Sequence, residues 1–252
     1  MKIYKFFDQN LRPLVEFTRG CPYACTFCTD SHEHRSKVHC RSIHFVESEL
    51  KYIAAHVKTA TDLVLADLNF GMFKQDVDVS KILRRVIDEY DWPNSISCSP
   101  GKSQPERVLE CINIINQGGR GIIKFASSVQ STDTKVLGAI KRKNLPSEKI
   151  SSLIEYSNKS NNNTEYFTEI ILALPEDSRK SHYQSLRDSI DTLGMNIVNV
   201  HQLTLLEGSP MALKSQRDLY QFDVRYRVFV GCIGEYEIGF SRTVKAESEE
   251  VV

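Results

Sequence analysis

Apolar positions along the chain follow two periods in turn, and this alternation predicts a series of βα units. Short apolar runs have the length of buried strands, whereas longer stretches with apolar side chains three and four positions apart are typical of amphipathic helices. The predicted strands cover residues 14–18, 62–67, 94–98, 122–126, 165–174 and 197–203. The predicted helices cover residues 42–56, 77–90, 105–115, 132–141, 146–156 and 178–193.

Strands that alternate with helices favour a parallel sheet, because each right-handed crossover returns the chain beside the previous strand. Six such units rather than eight predict an α/β fold, a partial TIM-like (β/α)6 barrel that is open on one side. We expect this core domain to span residues 1–210 and a short, partly irregular C-terminal extension to span 211–252. Within the extension, residues 224–240 resemble a pair of strands and the acidic tail 247–252 is expected to be frayed.

Two polar stretches interrupt this pattern. Residues 30–41 are rich in histidine and predict a loop over the site, which would act as a lid or contact the substrate. Residues 158–163 are rich in asparagine and predict a flexible connector.

Composition narrows the classes of function. Of the 252 residues, 41% are hydrophobic and 25% are charged, which is ordinary globular usage and does not indicate disorder. Lys plus Arg and Asp plus Glu both total 32, so the net charge is zero and a nucleic-acid substrate is disfavoured. No apolar run approaches the roughly 18 residues of a membrane span, and the N-terminus lacks the apolar stretch of a signal peptide. Seven cysteines, an odd number, argue against a disulfide framework, so we expect a reducing cytoplasm.

Three cysteines lie close together directly after the first predicted strand. Cys21, Cys25 and Cys28 have C-x3-C-x2-C spacing, so their thiols can reach one small inorganic group. Thiolate sulfur is the preferred ligand of iron–sulfur clusters and of zinc. A closed site of either kind usually has four protein ligands. With three, one metal atom is left open to a cofactor or substrate.

Two other kinds of metal site compete with an open iron–sulfur cluster. A zinc site needs a fourth ligand, and the C-x3-C spacing fits zinc motifs poorly. A non-catalytic electron-transfer or redox-sensing cluster usually has four protein ligands, one more than the three cysteines of this motif supply. The open cluster is therefore the favoured hypothesis. Candidates for a fourth zinc ligand are His32, His34, His39 and Cys40.

The Cys motif, with the aromatic Phe27 directly before its last cysteine, resembles the signature of the radical S-adenosylmethionine (radical SAM) enzymes. The resemblance extends from about residue 14 to about residue 210. It implies that Cys21, Cys25 and Cys28 ligate a 4Fe–4S cluster whose open iron binds S-adenosylmethionine. One electron then cleaves the sulfonium, and the resulting 5′-deoxyadenosyl radical abstracts hydrogen from a substrate. We expect a flavodoxin- or ferredoxin-type electron donor and a small-molecule substrate.

Polar residues after two of the predicted strands lie where active-site residues of α/β barrels are found. Asn69 and Gly71 follow the second strand, at the position where the resemblance implies contact with the amino group of the cofactor. The family usually has Gly-Gly-Glu there, and a simple turn with Gly71 at positive φ is the alternative. After the fourth strand, Ser128 and Gln130 carry groups that suit a ribose diol, whereas a helix N-cap at residues 131–132 is the alternative.

Three further residues are predicted to belong to the site. Arg142 follows a helix, and the resemblance implies that it meets the carboxylate of the cofactor; a favourable charge at the helix C-terminus is the alternative. Glu169 interrupts an apolar strand, and because an unpaired buried carboxylate is costly, we expect it to face the barrel interior. The backbone around Leu174 resembles the segment that seats adenine in the family.

The motifs taken together are most similar to the cobalamin-associated branch of that family. The segments that carry this similarity are residues 18–21, 69–72, 128–131 and 171–176. In that branch a cobalamin-binding domain lies upstream, and this sequence contains no D-x-H-x2-G run. We therefore do not predict bound cobalamin.

Overall fold

The computed structural model describes residues 7–8, 11–101, 103–159, 164–228 and 248–251, with the backbone alone described at 156–159, 227–228 and 248–251. In these ranges the strands are β1 (Leu14–Val15), β2 (Thr18–Arg19), β3 (His39–Cys40), β4 (Asp62–Leu65), β5 (Ser95–Ser97), β6 (Phe125–Ala126), β7 (Tyr166–Leu172), β8 (Ile197–Gln202), β9 (Arg225–Val228) and β10 (Ser248–Val251). The α-helices are α1 (Ile43–His56), α2 (Gln75–Tyr90), α3 (Pro105–Ile115), α4 (Thr134–Ala139), α5 (Ser147–Lys159), α6 (Arg179–Arg187) and α7 (Lys214–Tyr220). Short 3-10 turns occur at Glu33–Arg35 and Pro210–Ala212, and a π-helical turn at Asp188–Thr192.

Two parallel three-stranded sheets, β1–β4–β5 and β6–β7–β8, contain the six strands predicted from the sequence. A parallel bridge between Ile96 and Ile123 links β5 to the segment before β6, and Ile96 N donates to Ile122 O at 2.8 Å. The order of these strands therefore follows the chain, as expected for right-handed βα crossovers. The prediction of parallel βα units is confirmed.

The two faces of the strands differ in their surroundings, because successive side chains point to opposite sides. On the face covered by helices, Leu63, Ile96 and Ile170 are at most 5% exposed and belong to the main hydrophobic core. On the other face Ser95 and Ser97 are exposed. The helices thus cover one side of the sheets, and the more polar side stays accessible next to the predicted site.

Two of the helices, α1 and α3, begin where the sequence predicts. The N-cap of α1 is Ser42, whose Oγ accepts a hydrogen bond from Phe45 N at 3.3 Å, and α3 begins with Pro105, which needs no N–H there. The apolar stripe of α1 is buried at Val46 and Leu50. No helix in the described ranges is long and apolar enough to cross a membrane.

Three predicted irregular segments are partly regular in the structure. Within residues 30–41, the segment from Glu33 to Arg35 is a 3-10 turn, and β3 pairs antiparallel with β2. The prediction of a frayed tail is wrong, since β10 pairs antiparallel with β9, Ser248 opposite Val228. Such pairing joins residues far apart in sequence, so it leaves no local periodic pattern. Residues 158–159 of the predicted connector belong to the end of α5, so the prediction of a loop is wrong there. Residues 160–163 of the connector and 229–240 of the predicted strand pair lie outside the described residues.

Candidate active site

The loop that carries the three cysteines is fixed to its neighbours by backbone contacts. Gly20 has φ of 109°, and a Cβ at this position would lie 2.3 Å from Lys37 O, so only glycine permits this close approach. Cys21 N donates to Arg35 O at 2.9 Å. The far side of the loop is held by Thr26, whose N–H donates to Ile140 O and whose carbonyl accepts from Met211 N.

Each of the three cysteine sulfurs lies within reach of an N–H donor. Such donors stabilise the negative thiolate, which is the form that binds metal. Cys21 and Cys25 are buried, so these contacts are little weakened by water. The donor–sulfur pairs are Asn69 Nδ2 with Cys21 Sγ at 3.3 Å, Arg142 Nη1 with Cys25 Sγ at 4.0 Å, and Asp30 N with Cys28 Sγ at 3.4 Å.

A cavity of about 210 Å³ lies beside the Cys motif. Seven of the site residues predicted from the sequence line it together, although they come from four separate stretches of the chain. Cys98, which the sequence did not single out as a ligand, also borders this cavity, and burial raises the pKa of its thiol to about 12. The seven are Cys21, Phe27, Cys28, Ser128, Gln130, Arg142 and Glu169.

The residues suit a cofactor with a soft metal and polar groups. The donor set has three thiols, and the cavity beside them adds a guanidinium from Arg142 and an unpartnered amide oxygen from Gln130. Among the described residues, no three His, Cys, Asp or Glu side chains are arranged to hold a single metal ion. The fit to an iron–sulfur cluster therefore rests on the chemistry of the donors and on the adjoining cavity. The roles assigned to the individual site residues remain predictions.

Arg142 points to the cavity rather than to the end of α4. Its Nη2 donates to Ser128 O, and its Nε donates to Asn144 Oδ1 at 3.0 Å. Burial lowers the pKa of this guanidinium, while the nearby Cys25 opposes that shift. The described ion pairs of the chain do not include Arg142, although the charge of the nearby Glu169 also raises the pKa of this guanidinium.

Gln130 is held in a special backbone conformation at the edge of the cavity. Its φ is 64°, its N–H donates to Glu169 O at 2.8 Å, and its carbonyl accepts from Ile171 N at 2.9 Å. The residue is 6% exposed, and its Oε1 has no hydrogen-bond partner among the described residues. A buried acceptor without a donor is costly, so this oxygen is suited to a ligand hydroxyl.

The alternative interpretations of the 128–131 segment are not those seen in the structure. The N-cap of α4 is Asp133, whose Oδ1 accepts from Lys135 N and Val136 N at 2.8 and 3.1 Å. Ser131 Oγ instead accepts from Asp133 N at 3.1 Å. The polar side chains of Ser128 and Gln130 are therefore not required for capping the helix.

Asn69 and Gly71 lie in a buried turn after β4, which we call the β4 turn (residues 67–73). Gly71 has φ of 86°, and a Cβ there would lie 2.8 Å from Val108 Cα, so the predicted simple-turn role is present. Asn69 is 3% exposed and reaches Cys21 through its side chain. Neither residue lines the cavity, but the neighbouring Leu68 does.

Glu169 and Leu174, on and after β7, have different surroundings. Glu169 is partly exposed at the cavity, and its Oε1 lies 3.8 Å from His201 Nε2 on β8. Leu174 is 3% exposed and packs in a second apolar cluster with Val136, Leu203 and others, to which Phe27 adds a partly buried ring. The side chain of Leu174 is thus part of the core, and its proposed role concerns its backbone.

Two residues that support the site were not predicted from the sequence. Asp76 is 1% exposed, and its Oδ2 accepts from Gly71 N at 2.8 Å and from Phe73 N at 2.9 Å. Burial raises the pKa of Asp76 to about 6. Asn144 Nδ2 donates to Val129 O at 2.9 Å and Ser131 O at 2.8 Å. Both act on backbone groups, so their residue types carry no motif that a sequence pattern reveals.

Two curated proteins are similar to this chain. The cobalamin-dependent radical SAM methyltransferase TokK of Streptomyces tokunonensis is 26% identical over 82% of the chain, and the match covers 30% of TokK. The 2-(S-pantetheinyl)-carbapenam-3-carboxylate methyltransferase of Streptantibioticus cattleyicolor is 28% identical over 81% of the chain and is covered over 29% of its length. The chain thus spans about 30% of the length of these relatives. No family model matches it.

A solved structure with a similar fold is TsrM from Kitasatospora setae, a radical S-adenosylmethionine methyltransferase with cobalamin and a [4Fe-4S] cluster bound. It matches 83% of this chain with a TM-score of 0.62 and 14% sequence identity, and the match covers 37% of TsrM. The predicted resemblance to radical SAM enzymes is therefore confirmed by sequence relatives and by the fold, including the similarity to cobalamin-associated members.

Proposed function

We propose that this chain, which resembles the radical SAM superfamily in sequence and in fold, is itself a radical SAM enzyme. Cys21, Cys25 and Cys28 would hold a 4Fe–4S cluster, and S-adenosylmethionine would occupy the adjoining cavity. The observation that carries this proposal is that seven predicted site residues from distant parts of the chain border one cavity. When bound, the cluster and S-adenosylmethionine supply one-electron cleavage of the sulfonium and a radical for hydrogen abstraction.

We propose which part of the cofactor each group of residues in and around the cavity would bind. Arg142, a buried cation without a described ion pair, would bind the carboxylate. The unpartnered oxygen of Gln130 and the hydroxyl of Ser128 would receive the ribose diol. The backbone of the β4 turn would meet the amino group, and the backbone near Leu174 the adenine.

The remaining side chains would exclude water and orient the substrate. Phe27 presents an apolar ring at the cavity and packs on the second apolar cluster, so it restricts solvent near the thiols. Glu169 is ionisable, lines the cavity and lies beside His201, so it would supply a polar contact inside the cavity. We further propose that the six parallel strands form a partial barrel whose polar face surrounds this space. The predicted division at residue 210 and the role of residues 30–41 as a lid are retained as part of the proposal.

The test is anaerobic reconstitution of the protein with iron and sulfide, followed by dithionite and S-adenosylmethionine. The account predicts about four irons per chain and formation of 5′-deoxyadenosine that is lost in Cys21→Ala, Cys25→Ala and Cys28→Ala. Cys40→Ala is the matched control, because Cys40 is exposed on β3 and is a candidate only for zinc. An intact cluster without cleavage would favour the electron-transfer alternative, and stoichiometric zinc without iron would contradict the proposal.

Methyl transfer is a second candidate activity, favoured because both sequence relatives are methyltransferases. Our proposal does not include cobalamin, which the sequence did not predict, and the relatives make this the point to test. The reconstituted protein should be incubated with hydroxocobalamin and passed through a desalting column. Absence of the cobalamin absorption from the protein fraction is expected, and co-elution at one equivalent would replace the proposal with a cobalamin-dependent one.

We expect the electron to come from a flavodoxin- or ferredoxin-type protein in a reducing cytoplasm, and the substrate to be a small molecule. Zero net charge supports the exclusion of nucleic acid as a substrate. Replacing dithionite by reduced flavodoxin should still give 5′-deoxyadenosine. Failure with both flavodoxin and ferredoxin, when dithionite succeeds, would exclude these donors.

A further inference from the structure

The side chain of Asn69 is fixed against the first cysteine of the motif. Its Nδ2 lies 3.3 Å from Cys21 Sγ, and both residues are at most 5% exposed. We infer that Asn69 is a positioning residue whose amide donates a hydrogen bond to the Cys21 sulfur and thereby sets the reduction potential of the bound cluster. This inference rests on the function proposed above, because it requires that Cys21 ligate the cluster.

The β4 turn, which carries Asn69, is fixed from several directions. Asp76 on α2 accepts the N–H groups of Gly71 and Phe73 through one oxygen, Oδ2. The turn is also bound to the segment after β5 and to α3, so its position depends on three parts of the fold. The other contacts are Phe70 N with Ser99 O at 2.9 Å, Gly101 N with Phe70 O at 2.7 Å, and Arg107 Nη1 with Met72 O.

Contacts from the cysteine loop complete this arrangement. Tyr23 Oη donates to Met72 Sδ at 3.4 Å, so the loop and the turn touch at a second point besides the Asn69 amide. Because the turn is fixed on both sides, the amide is held at the sulfur before any cluster binds. A preorganised N–H dipole needs no reorganisation when charge develops beside it.

The electrostatic consequence has a definite sign. Reduction of an iron–sulfur cluster adds negative charge that is shared with its cysteine sulfurs, and N–H donors stabilise that charge. The effect is strong in a buried site because water does not screen it. Loss of the Asn69 donor should therefore make the cluster harder to reduce and move its midpoint potential to a more negative value.

The experiment is a potentiometric titration of the reconstituted protein, monitored by the EPR signal of the reduced cluster. Asn69→Leu removes the donor with little change in volume or charge. We expect the equilibrium constant for reduction to fall at least threefold, which is about 30 mV at 59 mV per tenfold for one electron. Asn94→Leu is the matched control, since Asn94 is exposed at the opposite end of β5 and bonds Arg120.

A second pair of variants tests whether Asp76 on α2 helps to position the Asn69 amide. This pair replaces the first test if Asn69→Leu loses its iron. Asp76→Asn and Asp76→Ala both lack the charge, but only the Asn side chain retains an oxygen that can accept from Gly71 N and Phe73 N. The potential of Asp76→Ala should therefore be more negative than that of Asp76→Asn.

The outcomes separate this inference from the proposed function. Wild-type protein without iron would overturn both. Wild-type protein that holds a cluster and cleaves S-adenosylmethionine, together with an unchanged potential in Asn69→Leu, would overturn the inference alone. If Asn69→Leu holds no iron, equal potentials in the two Asp76 variants would overturn it in the same way.

Discussion

The β4 turn and the segment after β6, which we call the β6 segment (residues 127–131), both lie beside the cysteine loop, but they are held in different ways. In the β4 turn, the backbone N–H groups are bound by the buried carboxylate of Asp76, and Gly71 packs tightly on α3. In the β6 segment, Arg142 and Asn144 bind backbone carbonyl groups, and Gln130 Oε1 has no partner among the described residues. Asp67 Oδ2 and Asn69 Oδ1 of the β4 turn also have no hydrogen-bond partner among the described residues, so the two regions differ in what they face. The β4 turn contacts a cysteine sulfur through Asn69, whereas Gln130 lines the cavity and is available to a ligand.

The largest effect is expected from removing a cysteine sulfur of the loop beside which both regions lie. Cys25→Ala should lose its iron and lower 5′-deoxyadenosine formation by more than about 100-fold, because the cluster loses one of its three cysteine ligands. The fold should persist, since the neighbouring Thr26 holds the loop by backbone bonds to Ile140 and Met211. Iron analysis and thermal unfolding measure both results. A variant that unfolds like a metal-stripped zinc finger would contradict the catalytic interpretation.

The next effect tests the support of the β4 turn by Asp76 through the pH dependence of stability. Burial raises the pKa of Asp76 from 3.8 to about 6, so the folded protein binds a proton that the unfolded chain releases between these values. The free energy of unfolding should therefore fall as pH rises from about 4 to about 6, by on the order of 3 kcal/mol at 1.36 kcal/mol per unit. Denaturant titrations across this range measure the slope.

Asp76→Asn provides the control for that slope. The variant keeps an acceptor for both N–H groups and cannot ionise, so its stability should lose this contribution to the pH dependence. At pH 7.5 it should be at least as stable as the wild type. A slope equal to that of the wild type would assign the pH dependence to other groups.

A smaller effect is expected in the region that is open to a ligand. Arg142→Met should weaken S-adenosylmethionine binding about 10-fold or more, because a hydrogen bond to a charged group is worth about 1.5–3 kcal/mol. Equilibrium dialysis with the reconstituted protein measures the affinity. Lys141→Met is the matched control, since Lys141 is exposed beside Arg142 and does not line the cavity. Equal losses in the two variants would indicate a general charge effect.

The smallest effect has opposite signs for stability and for binding. Gln130→Leu removes a buried acceptor that has no described partner, so the free energy of unfolding should rise by about 1 kcal/mol. The same change should weaken S-adenosylmethionine binding a few-fold, since the oxygen can no longer accept from a ligand. Chemical denaturation and dialysis test the two parts. A loss of stability would show that the oxygen has an internal partner.

The apolar periodicity of the sequence was sufficient to predict the strands and helices that bury one regular face. The six parallel strands and the principal helices agree with the apolar pattern because a helix or strand must turn that face to the core. The pattern failed where pairing depends on distant partners, as in β3 with β2 and in β10 with β9. No periodicity within residues 30–41 or 247–252 encodes the partner strand.

The candidate site shows the same limit. Cys21, Cys25 and Cys28 could be found from spacing alone, because the ligands are close in sequence. Arg142 and Gln130 needed a family resemblance as well. Asp76 could not be found, since an aspartate in the first turn of a helix usually has an exposed, favourable position. Its function depends on the backbone N–H groups of a turn that only the folded chain brings to it.

The most direct test of the central claim is the EPR spectrum of the reconstituted, dithionite-reduced protein with and without S-adenosylmethionine. The account predicts the signal of a reduced 4Fe–4S cluster that changes when S-adenosylmethionine is added, because one iron of a three-cysteine cluster is open to the cofactor. A cluster signal that does not respond to S-adenosylmethionine would contradict the account, as would a protein that retains zinc and no iron.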